Sequence, residues 1–140
     1  MNKIAIIYWS GTGNTEEMAT AVLDGVKACG KDAVMLTPSE FEINMLSSLD
    51  AIAFGCPAMG AEVLEESEFE PMFLECKDRL DGKKVALFGS YGWGDGEWMR
   101  NWEDTCRESG IDLVCESVIC CEAPDEATVN ACKALGEALC

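Results

Sequence analysis

Histidine is missing altogether from these 140 residues, and no two cysteines stand in a C-x-x-C spacing, so the ligand sets that build zinc sites cannot be completed here. Positive charge is scarce as well. Ten lysines and arginines face 26 aspartates and glutamates, a formal net charge of −16, which sets aside nucleic acid and anionic membranes as partners and favours basic protein surfaces. No long apolar run occurs. The first run, residues 4–9, is too brief for a signal-peptide core or a membrane span, and no cleavage pattern follows it, so a cytoplasmic protein is expected. Repeats, low-complexity tracts and linker-like stretches are lacking, and the four prolines are dispersed. One domain over 1–140 is the expectation.

What the chain does have is apolar content and alternation. Hydrophobic residues make up 49%, which places it with globular rather than disordered proteins despite its charge. The nine cysteines, at 29, 56, 76, 106, 115, 120, 121, 132 and 140, read as reduced and mostly buried small hydrophobes. The adjacent Cys120 and Cys121 are the two that fast alkylation would single out for a thiol role. The apolar run at 4–8 predicts a buried parallel strand, and 15–28 carries Met18, Val22 and Val26 at helical spacing before Gly30. Further strands are expected at 32–36, 51–55, 84–89 and 113–119. Helices are expected at 65–80, 96–109 and 125–139, Pro71 being tolerable only near a first turn, with a loop and short helix between 37 and 49. Five strands alternating with helices imply a parallel sheet covered on both faces by right-handed crossovers, a three-layer α/β sandwich.

In such sheets ligands bind beyond the carboxyl ends of the strands, where the winding direction changes. The stretch YWSGTGNTEEMA, residues 8–19, sets hydroxyls, glycines and an amide between a strand and a helix, which aims backbone N–H groups and a helix N-terminus at an anion. No lysine follows Gly13, so this is not a nucleoside-triphosphate loop, and Glu16 occupies the place of the third glycine of a dinucleotide fingerprint. No cysteine has an arginine six residues later, which excludes a cysteine phosphatase, and no acidic cluster follows the first strand, which excludes a receiver domain. A neutral pocket for one terminal phosphate remains, made by Ser10, Thr12, Asn14 and Thr15. The alternative is an ordinary turn in which Asn14 or Thr15 caps the helix. Trp93, flanked by Gly92 and Gly94, reads as a stacking platform, and Met59 as a cover for the opposite face of a planar ligand. Trp98 and Trp102, four residues apart on an expected helix, read as packing.

The segments SGTGNTE, GCPAMGAEVLEESEFEP and GKKVALFGSYGWGDGEWM together closely resemble the short-chain flavodoxins of anaerobic bacteria, from the first strand to the last helix. The resemblance implies a flavodoxin-like sheet of order 2-1-3-4-5 and noncovalently bound FMN that carries low-potential electrons between redox proteins. It implies that Ser10, Gly11, Thr12, Gly13, Asn14 and Thr15 hold the phosphate with help from Ser90, and that Trp9 lies beside that loop. It sets Met59 and Trp93 on the two faces of the isoalloxazine, with Glu62 accepting from the flavin N3–H, and counts Pro57, Ala58, Gly60, Ala61, Tyr91, Gly92 and Gly94 among the residues that bind the cofactor. Pro57 departs from relatives that place a phosphate-reaching serine there, and Ala61 from those with an acidic or polar residue.

The peptide after Gly60 would turn its carbonyl toward N5 on reduction, since glycine accepts the positive φ of a type II′ turn. The carrier would then cycle mainly between semiquinone and hydroquinone. Residues 9–15, 55–66 and 89–98 contain no lysine or arginine, and Glu62, Glu65, Glu66, Asp95 and Glu97 fall in the same loops, an acidic rim that would lower the second potential and attract basic faces of partner redox enzymes. The competing reading on this fold is a flavin-dependent NAD(P)H or quinone reductase, which would need space for a second substrate over the ring. A monomeric carrier without its own substrate turnover is the expectation.

Overall fold

The computed structural model describes residues 3–11, 13–59, 63–92 and 94–140. Five strands, β1 (Ile4–Tyr8), β2 (Ala33–Leu36), β3 (Ala51–Gly55), β4 (Lys84–Tyr91) and β5 (Val118–Cys121), form one parallel sheet in the order β2-β1-β3-β4-β5. Helices α1 (Asn14–Ala28) and α4 (Glu126–Leu139) cover one face, and α2 (Phe69–Cys76) and α3 (Glu97–Glu108) the other.

Period-two burial sorts the strand residues between two cores. Ile4, Ile6, Ala53, Ala86 and Phe88 pack with Met18, Val22, Val26, Leu135 and Leu139 beneath α1 and α4. Ala5, Ile7, Ile52, Phe54 and Leu87 pack beneath α2 and α3, where Phe73 stands edge-on to Phe54 at 5.1 Å and to Trp102 at 5.6 Å. Trp98 and Trp102 are both buried, as expected of packing residues. Because β1 and β3 are apolar at every position and central in the sheet, their limits are those the sequence predicts.

Three elements differ from expectation. Helix α2 begins at Phe69 rather than 65, because the buried carboxylate of Glu65 turns to the chain ahead of the helix. It accepts from the backbone N–H of Ser67 at 2.9 Å, Glu68 at 2.7 Å and Phe69 at 2.8 Å, and from the Ser67 hydroxyl. Burial alone would raise this carboxyl, but those four donors outweigh it and hold its pKa below the ordinary value. Pro71 then falls in the first turn, where its missing N–H costs nothing. Strand β4 continues through Tyr91, carrying Ser90 into the sheet. Strand β5 starts at Val118 rather than 113: Leu113 makes one isolated bridge to Val85, and continuous pairing begins with Phe88 opposite Val118. Five cysteines are buried, two are half-buried and two exposed. Burial pushes the thiols of Cys56, Cys76, Cys106 and Cys132 up to about 12 and that of Cys120 to about 11, which fits small hydrophobes better than reactive groups. Among the described residues no helix is long and apolar enough to cross a membrane.

Candidate functional site

The carboxyl ends of β1, β3, β4 and β5 open on one cleft. Backbone bonds fasten its walls: Trp9 N–H donates to Gly55 at 2.9 Å, Cys56 to Phe88 at 3.1 Å and Ala58 to Ser90 at 2.9 Å. Below the floor, Trp98 Nε1 donates to the Cys56 carbonyl at 3.2 Å and its ring lies 5.5 Å from Tyr91. The cleft holds about 330 Å³ and is lined by Trp9, Gly11 and Asn14 from the first loop, Pro57, Ala58 and Met59 from the second, Ser90, Tyr91 and Gly92 from the third, and Glu122 after β5. That size and its mostly apolar walls suit a small organic ligand.

At one end of the cleft stands the N-terminus of α1. Gly13 caps it in the left-handed region at φ 98°, and no side chain caps it, so the turn that would have used Asn14 or Thr15 as a cap is not the one the chain makes. Glu17 N–H bonds to the Gly13 carbonyl at 3.0 Å, and the Ser10 hydroxyl accepts from Gly13 at 3.1 Å and from Glu16 at 3.3 Å. Ser10 thus shapes the loop from within and keeps its own hydrogen to donate. Thr15, on the first turn of α1, turns inward to Ser90 on β4, and their hydroxyl oxygens lie 3.1 Å apart in a buried setting. A hydroxyl pair consumes one of its two hydrogens, so one donor is left over where little water reaches. Together with the helix dipole these are neutral donors suited to a phosphate monoester. This donor set and these apolar walls fit FMN: Thr15, Ser90 and the α1 turn could hold a phosphate, and the walls could hold a ring.

Of the residues expected at the site, Ser10, Gly13 and Thr15 adjoin the lining residues Gly11, Asn14 and Ser90 without lining the cleft themselves, and Gly94, at φ 87°, is not in its lining either. Thr12, Gly60, Ala61, Glu62 and Trp93 lie outside the described residues. Met59 and Val63, which flank three of these, pair antiparallel through backbone bonds of 2.8 and 3.3 Å. Trp9 packs its ring over Gly11, where a Cβ would come within 3.1 Å of it, and donates Nε1 to Glu68 at 3.2 Å.

Two expectations about charge change. Glu65 is no rim charge, because it is buried under α2's start, and Asp95 is partly neutralised by Arg100, 3.0 Å away. One cleft residue escapes the sequence reading: Glu122. Its backbone sits at φ 62°, uncommon for a residue with a side chain, and its N–H donates to Tyr91 at 2.6 Å. The only signal for it was the position of β5. A strand ending at 119 leaves Glu122 in the following loop, whereas one ending at Cys121 delivers it to the carboxyl edge of the sheet.

Residues 6–136 match the family model described as Flavodoxin. The chain is 51% identical over 122 residues to a flavodoxin of Clostridium beijerinckii, covering 87% of this chain and 88% of that one. It is 46% identical over 135 residues to a flavodoxin of Megasphaera elsdenii, covering 96% of each. The solution structure of the two-electron reduced Megasphaera elsdenii flavodoxin superposes with a TM-score of 0.89 over 97% of both chains, at 46% identity. The oxidised flavodoxin 2 of Bacillus cereus gives 0.83 at 30% identity over 98% of this chain and 97% of that one.

Proposed function

This chain belongs to the flavodoxin family, FMN-binding electron carriers rather than enzymes, and we propose that it works as a low-potential one-electron carrier moving between the one- and two-electron-reduced states of its cofactor. FMN supplies the redox chemistry. The observation that carries the reading is the buried Thr15 and Ser90 hydroxyl pair at an uncapped helix N-terminus, with Ser90 lining an apolar cleft whose loops hold no lysine or arginine.

In this reading Ser10, Thr12, Asn14, Thr15 and Ser90 bind the phosphate through neutral donors, which fixes the cofactor without a cation close to the ring. Met59 and Trp93 cover the two ring faces and exclude water, Tyr91 and Trp9 close the flanks, and Glu62 accepts from N3–H. The peptide after Gly60 would present its carbonyl to flavin N5. Glu122, in the lining of the cleft, disfavours added negative charge near the ring and so lowers the second potential. The net charge of −16 suits encounter with the basic docking faces of redox enzymes, its electron donors and acceptors. One domain over 1–140, acting as a cytoplasmic monomer, completes the proposal.

The test is a visible spectrum of the purified protein followed through a dithionite titration. A flavin chromophore bleaching in two resolved one-electron steps is the expected result, with no bleaching by NADPH alone. A colourless protein, or one reduced directly by NADPH, would overturn it.

A further inference from the structure

Helices α1 and α4 lie side by side and touch through a glycine from each. A Cβ at Gly25 would overlap the Lys133 carbonyl, and one at Gly136 would overlap that of Val22, so each helix admits the other's backbone where it has no side chain. Four residues beyond each glycine stands a cysteine, and each cysteine caps the end of its helix: Cys29 for α1 and Cys140 for α4. Both thiols turn back along their own helix. Cys29 Sγ approaches the Gly25 carbonyl at 3.5 Å, and Cys140 Sγ that of Gly136 at 3.6 Å, which aims both sulfurs over the glycine contact. Cys140 Sγ also reaches the Val26 carbonyl in the last turn of α1, 3.9 Å away, which sets it beside the end of the helix that Cys29 caps. Lys31 holds the end of α4 in place by donating Nζ to the Cys140 carbonyl at 3.0 Å.

We propose that Cys29 and Cys140 are a redox-sensitive thiol pair that closes to a disulfide under hydrogen peroxide and staples α4 to α1. Cys29 is exposed and Cys140 half-buried. Burial, and then the neighbouring Cys29, push the Cys140 thiol up to about 11, so Cys29 makes the first attack and Cys140 resolves it. The Cys29 thiolate takes one peroxide oxygen: an S–O bond forms, the O–O bond breaks, and hydroxide leaves to collect a proton as water. Cys140 sulfur then attacks Cys29 sulfur, the S–S bond forms as the S–O bond breaks, and the Cys140 proton departs with the hydroxide as a second water. The two sulfurs lose two electrons and the peroxide gains them. A dithiol reverses the step by exchange. The pair sits where α1 leads toward β2, at the edge of the sheet opposite the cleft, so the bond constrains a loop of roughly a hundred residues without touching the proposed cofactor site.

The folded protein is treated with hydrogen peroxide near neutral pH, its remaining thiols are alkylated in denaturant, and its peptides are mapped by mass. The expected result is loss of two of the nine thiols, recovered as one linked pair joining Cys29 to Cys140, a higher urea midpoint, and reversal of both by dithiothreitol. Cys29→Ser and Cys140→Ser each abolish the linked peptide and the midpoint shift. In Cys140→Ser the oxidised Cys29 accumulates as sulfenic acid that dimedone traps. Cys120→Ser leaves the bridge intact. No linked peptide, a bridge through another cysteine, or a bridge that survives Cys29→Ser would overturn the proposal.

Discussion

The hydroxyls of Thr15 and Ser90 lie 3.1 Å apart and buried, although the two residues come from the first helix and the fourth strand, 75 positions apart in the chain. Replacing either one removes a donor from the proposed phosphate site while leaving its neighbour unpaired. Thr15→Val and Ser90→Ala are each expected to weaken FMN binding by about 10- to 100-fold, the worth of a hydrogen bond to a charged group at ~1.5–3 kcal/mol. Binding of riboflavin, which has no phosphate, should change little. Titration of apoprotein by flavin fluorescence quenching reads both.

Glu122 lines the cleft and brings a formal negative charge near the proposed position of the ring. Glu122→Gln should raise the second one-electron potential by on the order of 10–40 mV, since an exposed charge interaction is worth a few tenths to 1 kcal/mol and ~1.4 kcal/mol corresponds to ~59 mV. Asp95→Asn should move it less, because Arg100 already offsets that charge. Potentiometric titration of the variants checks the order.

Glu65 acts on the fold rather than on the potential. Glu65→Gln is expected to lower stability by ~1–3 kcal/mol in urea unfolding, through weaker hydrogen bonds to Ser67, Glu68 and Phe69, with little change in potential. The pH dependence has a defined sign. The folded carboxyl titrates below its ordinary value, so its contribution is fully present above the unfolded value, ~4.3, and is lost as pH falls through that value to the lower folded one. The gap between wild type and Glu65→Gln should therefore narrow below about pH 4.3. A gap that stays constant down to acid unfolding would contradict the assignment.

Electron transfer to a basic partner should slow as salt rises, because both the net charge of −16 and the partner's field are screened beyond about 10 Å at 0.1 M ionic strength. Stopped-flow rates at several ionic strengths measure this. A flat dependence would leave the acidity to solubility alone.

The sheet was legible where burial is complete and continuous. β1 and β3 are central, apolar on both faces and closed by small or irregular residues, so nothing competes with their reading. β5 was not, because two apolar stretches, around Leu113 and around Ile119, lie within strand reach of each other, and which of them pairs with β4 is a tertiary matter. That shift alone hid Glu122. Glu65 misled for another reason: glutamate is a good helix former, and a capping carboxylate ahead of a helix looks the same in sequence as one inside it. The strand, loop and helix over residues 8–28 were readable from residue types alone, yet the partner of Thr15, a serine inside a strand far along the chain, needed the fold.

In the proposed site, uncharged donors at the start of α1 hold a flavin by its phosphate. Isothermal titration of the apoprotein with FMN and with riboflavin tests it directly. The account predicts one FMN bound per chain, and riboflavin bound more weakly by at least about 100-fold, as expected when two or more charge-assisted hydrogen bonds are lost. Equal affinity for the two flavins would contradict it.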